Sequence, residues 1–145
     1  MLFLQIMNEP IEQFRAILKQ SGNSLTRTRQ AVFVALHFQE SQTMHELIDR
    51  CAAIDRASIY RTITLFEHLG VVQRVHVGWK YKLELTDVFA THHHHLACTR
   101  CGKVVPLPEN VAIEAQLIKL ATSQKFAMHD HRVEIRGLCS ECQKI

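Results

Sequence analysis

Residues Asp55 to Leu85 read DRASIYRTITLFEHLGVVQRVHVGWKYKLEL, and this stretch decides the architecture of the first half of the chain. From about Arg56 to Leu69, Ile59, Ile63, Phe66 and Leu69 recur at helical spacing, which predicts a helix with one buried face. Gly70 stands at the helix C′ position, where the backbone commonly turns left-handed. Val71 to Val77 and Lys80 to Leu85 then read as two strands, with Gly78-Trp79 as a short hairpin turn. Upstream, Ile11 to Gln20 places Ile11, Phe14, Ile17 and Leu18 at helical spacing, and Ser21-Gly22-Asn23 stops it. A further helix follows Leu25, with Thr26 as its N-cap and Val32, Phe33, Leu36 and His37 inward. Another carries Met44, Leu47, Ile48 and Cys51 behind Thr43-Met44-His45-Glu46, the spacing of a capping box. Three helices followed by a two-stranded ribbon form the pattern of a winged helix-turn-helix.

Beyond a connecting stretch from Thr86 to Thr91, the pattern changes. His93 to Cys98 and Lys103 to Leu107 read as strands, about Glu109 to Ser123 as a helix, and Lys125 to Ile135 as a final strand. Pro106 and Pro108 punctuate the passage from strand to helix. That helix is expected to bury Val111, Ala115, Leu117 and Ile118. The fold class is therefore α+β. A winged-helix domain occupies residues 1–86, a hinge 87–91 and a small α/β domain 92–145.

The 145 residues carry a net charge of +3, which permits a nucleic-acid partner without requiring one. No apolar run is long enough for a transmembrane helix, so no membrane partner is expected. Met1 to Met7 is apolar but short, with no basic segment before it. It reads as a packing or interface segment rather than a signal peptide. A cytoplasmic location follows, with thiols kept reduced.

Of ten histidines and five cysteines, six histidines and four cysteines lie after residue 91. Cys98-x-x-Cys101 and Cys139-x-x-Cys142 are two C-x₂-C pairs, and together they offer the four thiolates of a structural zinc site. Gly102 gives the first pair freedom to turn. A dithiol redox pair and a pair of disulfides are the other uses of such spacing, and a reducing compartment disfavours the disulfides. Cys51 reads as a small buried residue.

His92-His93-His94-His95 is an internal run. On a strand, His92 and His94 face one way and His93 and His95 the other, so one segment offers two ligands to each of two metal sites. A solvated polar loop is the plainer reading. Glu114 and His131 are candidates to approach from the helix and the last strand.

The polar side of the helix at 56–69 presents Arg56, Ser58, Tyr60, Arg61 and Thr64. Arginine can read guanine bidentately, and hydroxyls hold phosphates. Arg27 and Arg29 begin an earlier helix, where they can grip the DNA backbone. The hairpin that follows at once favours a DNA-binding arrangement over a merely solvated helix face.

These residues resemble the ferric uptake regulator (Fur) family of bacterial metal sensors. The resemblance runs from about Leu25 to Cys142. It rests on Leu25-Thr26-x-x-Arg29, Ser58-Ile59-Tyr60-Arg61-Thr62, Glu84-Leu85-Thr86, HHHHLACTRCGK at residues 92–103 and Gly137-Leu138-Cys139-x-x-Cys142. It implies a homodimer whose second domain is the dimerisation domain. It also implies a transcriptional regulator, usually a repressor, which binds a palindromic double-stranded DNA operator when loaded with metal. By position, Cys98, Cys101, Cys139 and Cys142 match the family's structural zinc site. His92, His94, Glu114 and His131 match a site in the dimerisation domain, and Glu84, His93 and His95 match a sensory site at the hinge. Ser41 and Pro106 stand where further hinge ligands often occur in the family.

The expected cofactors are structural Zn²⁺ and a regulatory Zn²⁺ or Fe²⁺, with Mn²⁺ possible; no small organic substrate is expected. The expected function is metal-dependent repression of metal-uptake or metal-homeostasis genes. Two alternatives share the fold: a zinc-stabilised DNA-binding protein that does not sense metal, and a peroxide-sensing regulator. An enzyme is not expected, because a four-cysteine site leaves no open position for a catalytic water and an enzyme gives the winged helix no purpose.

Overall fold

The computed structural model describes the backbone of residues 2–144 and the side chains of residues 8–144. The reading of Met1 to Met7 as a packing segment therefore concerns side chains outside the described residues. Contacts divide the chain into two compact units, residues 1–76 with 81–91 and residues 77–80 with 92–145.

The first unit contains α1 (Leu2–Gln20), α2 (Arg27–His37), α3 (Met44–Arg50) and α4 (Arg56–His68), followed by the hairpin of β1 (Val72–Val77) and β2 (Lys80–Leu85) except its tip, residues 77–80, which groups with the second unit. The helix starts are set by local chemistry. The Thr26 hydroxyl accepts from the Arg29 N–H, and Asp55 Oδ1 accepts from the Ser58 N–H at 2.9 Å. At Thr43 both halves of the capping box form, because the Thr43 N–H also donates to Glu46 Oε2 at 2.7 Å. Helix α1 begins well before the expected Ile11. Pro10 favours a helix start because it lacks an N–H, yet here it stands inside the helix.

The core of this unit forms around three phenylalanines. Phe14 of α1 stacks on Phe33 of α2 with centroids 4.4 Å apart, and Phe66 of α4 meets Phe14 edge-on at 5.0 Å. Leu18, Val32, Leu36, Leu47, Ile59, Ile63, Val71, Val72, Leu83 and Leu85 close around them. Phe89, from the stretch after the wing, packs edge-on against Phe33 at 5.0 Å. Gln42 and Leu83 exchange backbone hydrogen bonds, which fix β2 to the segment between α2 and α3. No helix among the described residues is long and apolar enough to cross a membrane.

The second unit contains β3 (His93–Cys98), β4 (Val104–Pro108), α5 (Val111–Ser123) and β5 (Glu134–Gly137), ending in a 3₁₀ turn at Cys142–Lys144. The sheet order is β4-β3-β5, with β3 and β4 antiparallel and β3 and β5 parallel.

Two expectations are corrected here. The last strand does not begin at Lys125. Lys125 adopts φ 57° at the end of α5, the Phe126 N–H reaches back to the Ala121 carbonyl, and residues 126–133 are irregular before the short β5. A helix closed in this left-handed way releases the chain sideways, and pairing begins only where β3 offers a parallel partner. Nor does α5 bury its apolar residues. None is fully buried, and Val111 is 81% exposed, because the described residues supply no layer over that face.

Candidate metal centres and nucleic-acid interface

The parallel register sets Cys98 beside Gly137, so Cys139 emerges two residues beyond the end of the shared ladder. Gly102, at φ +75°, turns the chain after Cys101, and its N–H donates to the Cys98 carbonyl at 3.0 Å. The Sγ atoms of Cys98, Cys101, Cys139 and Cys142 all lie within 4.8 Å of one another, and all four are free thiols. Cys101 Sγ and Cys139 Sγ are 3.8 Å apart. Thiolates bound about 2.3 Å from a tetrahedral Zn²⁺ stand about 3.8 Å apart. The donor set and its spacing fit that ion.

Electrostatics at this site point the same way. Backbone N–H groups of Cys101 and Cys139 lower the Cys98 thiol to about 6. Burial, together with contacts from the Cys139, Cys98 and Cys101 thiols, pushes Cys142 up to about 12. Four crowded thiols cannot all ionise on their own, and a divalent cation relieves that repulsion. Arg100 Nη1 donates to the Cys142 carbonyl at 2.5 Å, which ties the C-terminal turn to the first knuckle.

The second cluster joins three parts of the same unit. His92 precedes β3, His94 lies on it, Glu114 is in the first turn of α5, and His131 lies in the irregular segment before β5. One ligand atom from each lies within 4.8 Å of the others. Glu114 is within hydrogen-bonding distance of His94 Nε2 at 2.7 Å and His131 Nε2 at 2.8 Å, with His92 Nε2 at 3.6 Å. His92 Nε2 and His131 Nε2 face each other at 3.2 Å. Imidazole nitrogens about 2.0–2.1 Å from a tetrahedral ion stand about 3.3–3.4 Å apart. Burial alone would raise the Glu114 pKa, but the His94 hydrogen bond and the charges of His131, His94 and His92 together hold it below the ordinary carboxylate value. His94 is almost wholly buried, and its Nδ1 has no hydrogen-bond partner, so its polar contact with the site is made through Nε2. Three imidazoles and one carboxylate converging on one point fit a divalent cation with borderline ligand preferences.

His93 and His95 point to the opposite side of β3, with ring centroids 4.7 Å apart. In the first unit, Glu84 is buried on β2 and accepts from Gln73 Nε2 at 2.7 Å. Gln73 carried no signal in the sequence, since its role depends on hairpin register.

On α4, Arg56, Tyr60, Arg61 and Thr64 are exposed along one side, and Ser58 is half-buried. Arg61 Nη2 donates to Ser58 Oγ at 2.9 Å, and Thr64 Oγ1 donates to the Tyr60 carbonyl at 3.1 Å. Arg27 is exposed at the start of α2. Arg29 is engaged differently: its Nη1 donates to the Ser24 carbonyl at 2.5 Å, bracing the entry to α2. Sequence reading also missed the ion pair between Arg74 of β1 and Glu67 of α4. Arg74 Nη2 donates to Glu67 Oε2 at 3.0 Å, and its guanidinium lies 4.2 Å from the Tyr81 ring centroid.

Residues 20–136 match the Ferric uptake regulator family. This chain belongs to that family. The ferric uptake regulation protein of Neisseria meningitidis serogroup B is 32% identical over 144 residues, covering 92% of this chain and 96% of that protein. The Vibrio cholerae ferric uptake regulator aligns with a TM-score of 0.68 at 25% identity, covering 84% of this chain and 96% of that one. A zinc uptake regulator solved with zinc and DNA aligns with a TM-score of 0.58 at 26% identity, covering 94% of each chain. Proteins of this family are metal-responsive transcription regulators, not enzymes; they bind DNA and function as dimers.

Proposed function

We propose that this protein is a metal-dependent repressor that binds a palindromic operator as a homodimer. The observation that carries the reading is the convergence of His92, His94, Glu114 and His131 on one point inside the second unit. Cys98, Cys101, Cys139 and Cys142 hold structural Zn²⁺. The histidine–glutamate cluster holds regulatory Zn²⁺ or Fe²⁺, with Mn²⁺ also accepted. Glu84, His93 and His95 are proposed as ligands of sensory metal. The zinc uptake regulator solved with zinc and DNA supports the pairing of metal with DNA binding. The exposed apolar residues Val111, Ile113, Ile118 and Leu120 of α5 supply a surface for a second copy.

When bound, the regulatory cation supplies a positive charge that holds imidazole nitrogens and carboxylate oxygens together. Glu114 links α5 to β3, and His131 links the segment before β5 to both. Arg56, Tyr60, Arg61 and Thr64 of α4 read the major groove, with Ser58 orienting Arg61. Arg27 meets a phosphate, and Arg29 positions the start of α2. Metal acts by linkage: it favours whichever arrangement of the dimer matches the operator, and the operator favours metal by the same factor.

The test is operator affinity by fluorescence anisotropy, measured anaerobically at fixed salt, on protein that retains only its structural zinc. The duplex is first selected from a random pool. Buffered Zn²⁺, Fe²⁺ or Mn²⁺ is expected to raise affinity at least about tenfold, or about 1.4 kcal/mol. Affinity unchanged by every metal would leave a zinc-stapled DNA-binding module and overturn the sensor reading.

A further inference from the structure

Helix α2 has two apolar sides, and only one of them packs inward. Val32, Phe33 and Leu36 face the core of the first unit. On the outer side, Arg27, Ala31, Val34 and Phe38 recur at three- and four-residue spacing, with Ala35 beside Val34. Together with Arg50, at the end of α3, they line an open groove of about 600 Å³. All of these residues belong to the first unit. Phe38 is 43% exposed, and Arg27 and Arg50 are exposed. A helix face turned to water is ordinarily polar, whereas this one is mostly apolar between two arginines.

The chemistry of the groove selects its occupant. No acid lines it, so its two positive charges call for a partner that brings carboxylates. Arginine beside an aromatic ring is also the composition of the residues that dominate protein interfaces. The 11 residues of α2 extend about 17 Å at about 1.5 Å each, the length of about three turns of a helix laid alongside. The methyl side chains of Ala31 and Ala35 leave room for a partner's larger ones. Another copy of this chain does not supply that partner. Among the described residues, the helix with an outward apolar face is α5, and its one acid, Glu114, is turned into the histidine cluster. Helices α1 and α4 spend their apolar sides on the core around Phe14 and Phe66.

We propose that this groove is a docking site for an acidic amphipathic helix of a different protein. The helix sets its apolar residues against Ala31, Val34 and Phe38 and its carboxylates on Arg27 and Arg50. Helices recognised in grooves present anchors at i, i+3, i+4 and i+7, the spacing that the floor of this groove also has. The site is built wholly from the first unit and stands whether or not the chain senses metal.

The probe is a fluorescein-labelled peptide of about fourteen residues, with leucine at i, i+3, i+4 and i+7 and glutamate around them. Its control carries lysine in place of every glutamate. Full-length, metal-loaded protein is titrated with each by fluorescence anisotropy, and the complex is mapped by NMR. The acidic peptide is expected to bind with a Kd of about 10 μM or tighter, at least about tenfold more tightly than the lysine peptide. It is expected to shift the signals of Ala31, Val34 and Ala35. Phe38→Ser and Arg50→Glu are each expected to weaken the acidic peptide about tenfold, and Arg50→Lys to keep most of the affinity. Arg27 is left unaltered, because a phosphate contact is proposed for it above. The thermal midpoint and operator affinity of Arg50→Glu stay at their wild-type values, since the side chain is exposed and outside the DNA contacts proposed. No binding of the acidic peptide, equal binding of the lysine peptide, binding that ignores both substitutions, or shifts on α5 instead of α2 overturns the site. Operator affinity lost in Arg50→Glu as far as peptide affinity assigns the groove to DNA and overturns the partner. A wild type that takes the peptide but no selected duplex overturns the regulator reading and leaves the docking site standing.

Discussion

The two units of this chain solve the same problem with different materials. The winged-helix unit buries Phe14, Phe33 and Phe66 against one another and closes a continuous apolar cluster around them. The second unit buries His94, His95, Cys98 and Cys142, while Val111, Ile118, Leu120 and Phe126 remain exposed. Its interior is a collection of ligand atoms and its apolar surface faces outward. A domain of some fifty residues has little apolar area to bury, and metals or a second subunit commonly supply what is missing. On the function proposed above, the first unit is self-sufficient, and the second draws on cations and on another copy of the chain.

The largest expected effect comes from the cysteine site. Cys98→Ser removes a thiolate held by two backbone N–H groups and leaves three cysteines around the same point. Structural zinc contributes on the order of 10 kcal/mol to small domains that need it. The variant is expected to lose its tightly bound zinc, measured by elemental analysis, and the second unit its dispersed NMR signals, with those of the first unit retained. Equal loss in both units would break the contrast.

Next in size is Phe33→Ala. It removes a ring that touches Phe14 and Phe89 in a sealed core, and such truncations cost about 3–5 kcal/mol. Unfolding of the first unit by urea is expected to shift by that amount, with zinc content unchanged.

Leu120→Glu sharpens the other side of the comparison. In the monomer this residue is exposed, so the substitution leaves folding intact, but it places a charge on the surface proposed for the second copy. Sedimentation is expected to show dimer dissociation weakened by at least about 2 kcal/mol, the scale of an interface hot spot. An unchanged dimer would mean that α5 does not form the interface.

The smallest effect is local to the first unit. The Thr43 N–H and hydroxyl hydrogen bonds hold the Glu46 carboxyl below its ordinary value. A carboxylate with a lowered folded pKa stabilises the protein above its unfolded value, and that contribution is lost as pH falls through the lowered one. Glu46→Gln is expected to cost only a fraction of a helix cap, about 0.5 kcal/mol after solvent screening, at neutral pH and less at acid pH, read from urea midpoints at both pH values. A constant difference across that range would mean that the capping box does not depend on ionised Glu46.

What was legible in the sequence was the chemistry that acts over short distances. Thr26 and Thr43 announce helix starts because a cap needs only the next three residues, and Gly78 marks a turn for the same reason. The C-x₂-C pairs offer a four-thiolate site by spacing, with a redox pair and disulfides as the other uses, and strand alternation separates His92 and His94 from His93 and His95. Glu114 was a candidate from its helix, but its grouping with His92, His94 and His131 came through family resemblance, since nothing in its neighbourhood says which strand its helix meets. The start of β5 was misread because parallel pairing is set by β3, far away in sequence, whereas the release of α5 at Lys125 is a backbone event that a lysine does not advertise. The apolar residues of α5 read as core because periodicity reports a face that wants covering, and cannot say whether the cover comes from the same chain. The Glu67–Arg74 pair was missed because it depends on where the first strand leaves the helix.

The most direct test of the contrast is amide hydrogen exchange on the intact wild-type protein before and after metal is stripped by a strong chelator under reducing conditions. The account predicts that β3, β4 and β5 lose protection on stripping, while α2, α4 and the hairpin base keep theirs. If protection were lost equally throughout, or retained in both units, the second unit would not owe its fold to metal, and the division drawn between the two would be wrong.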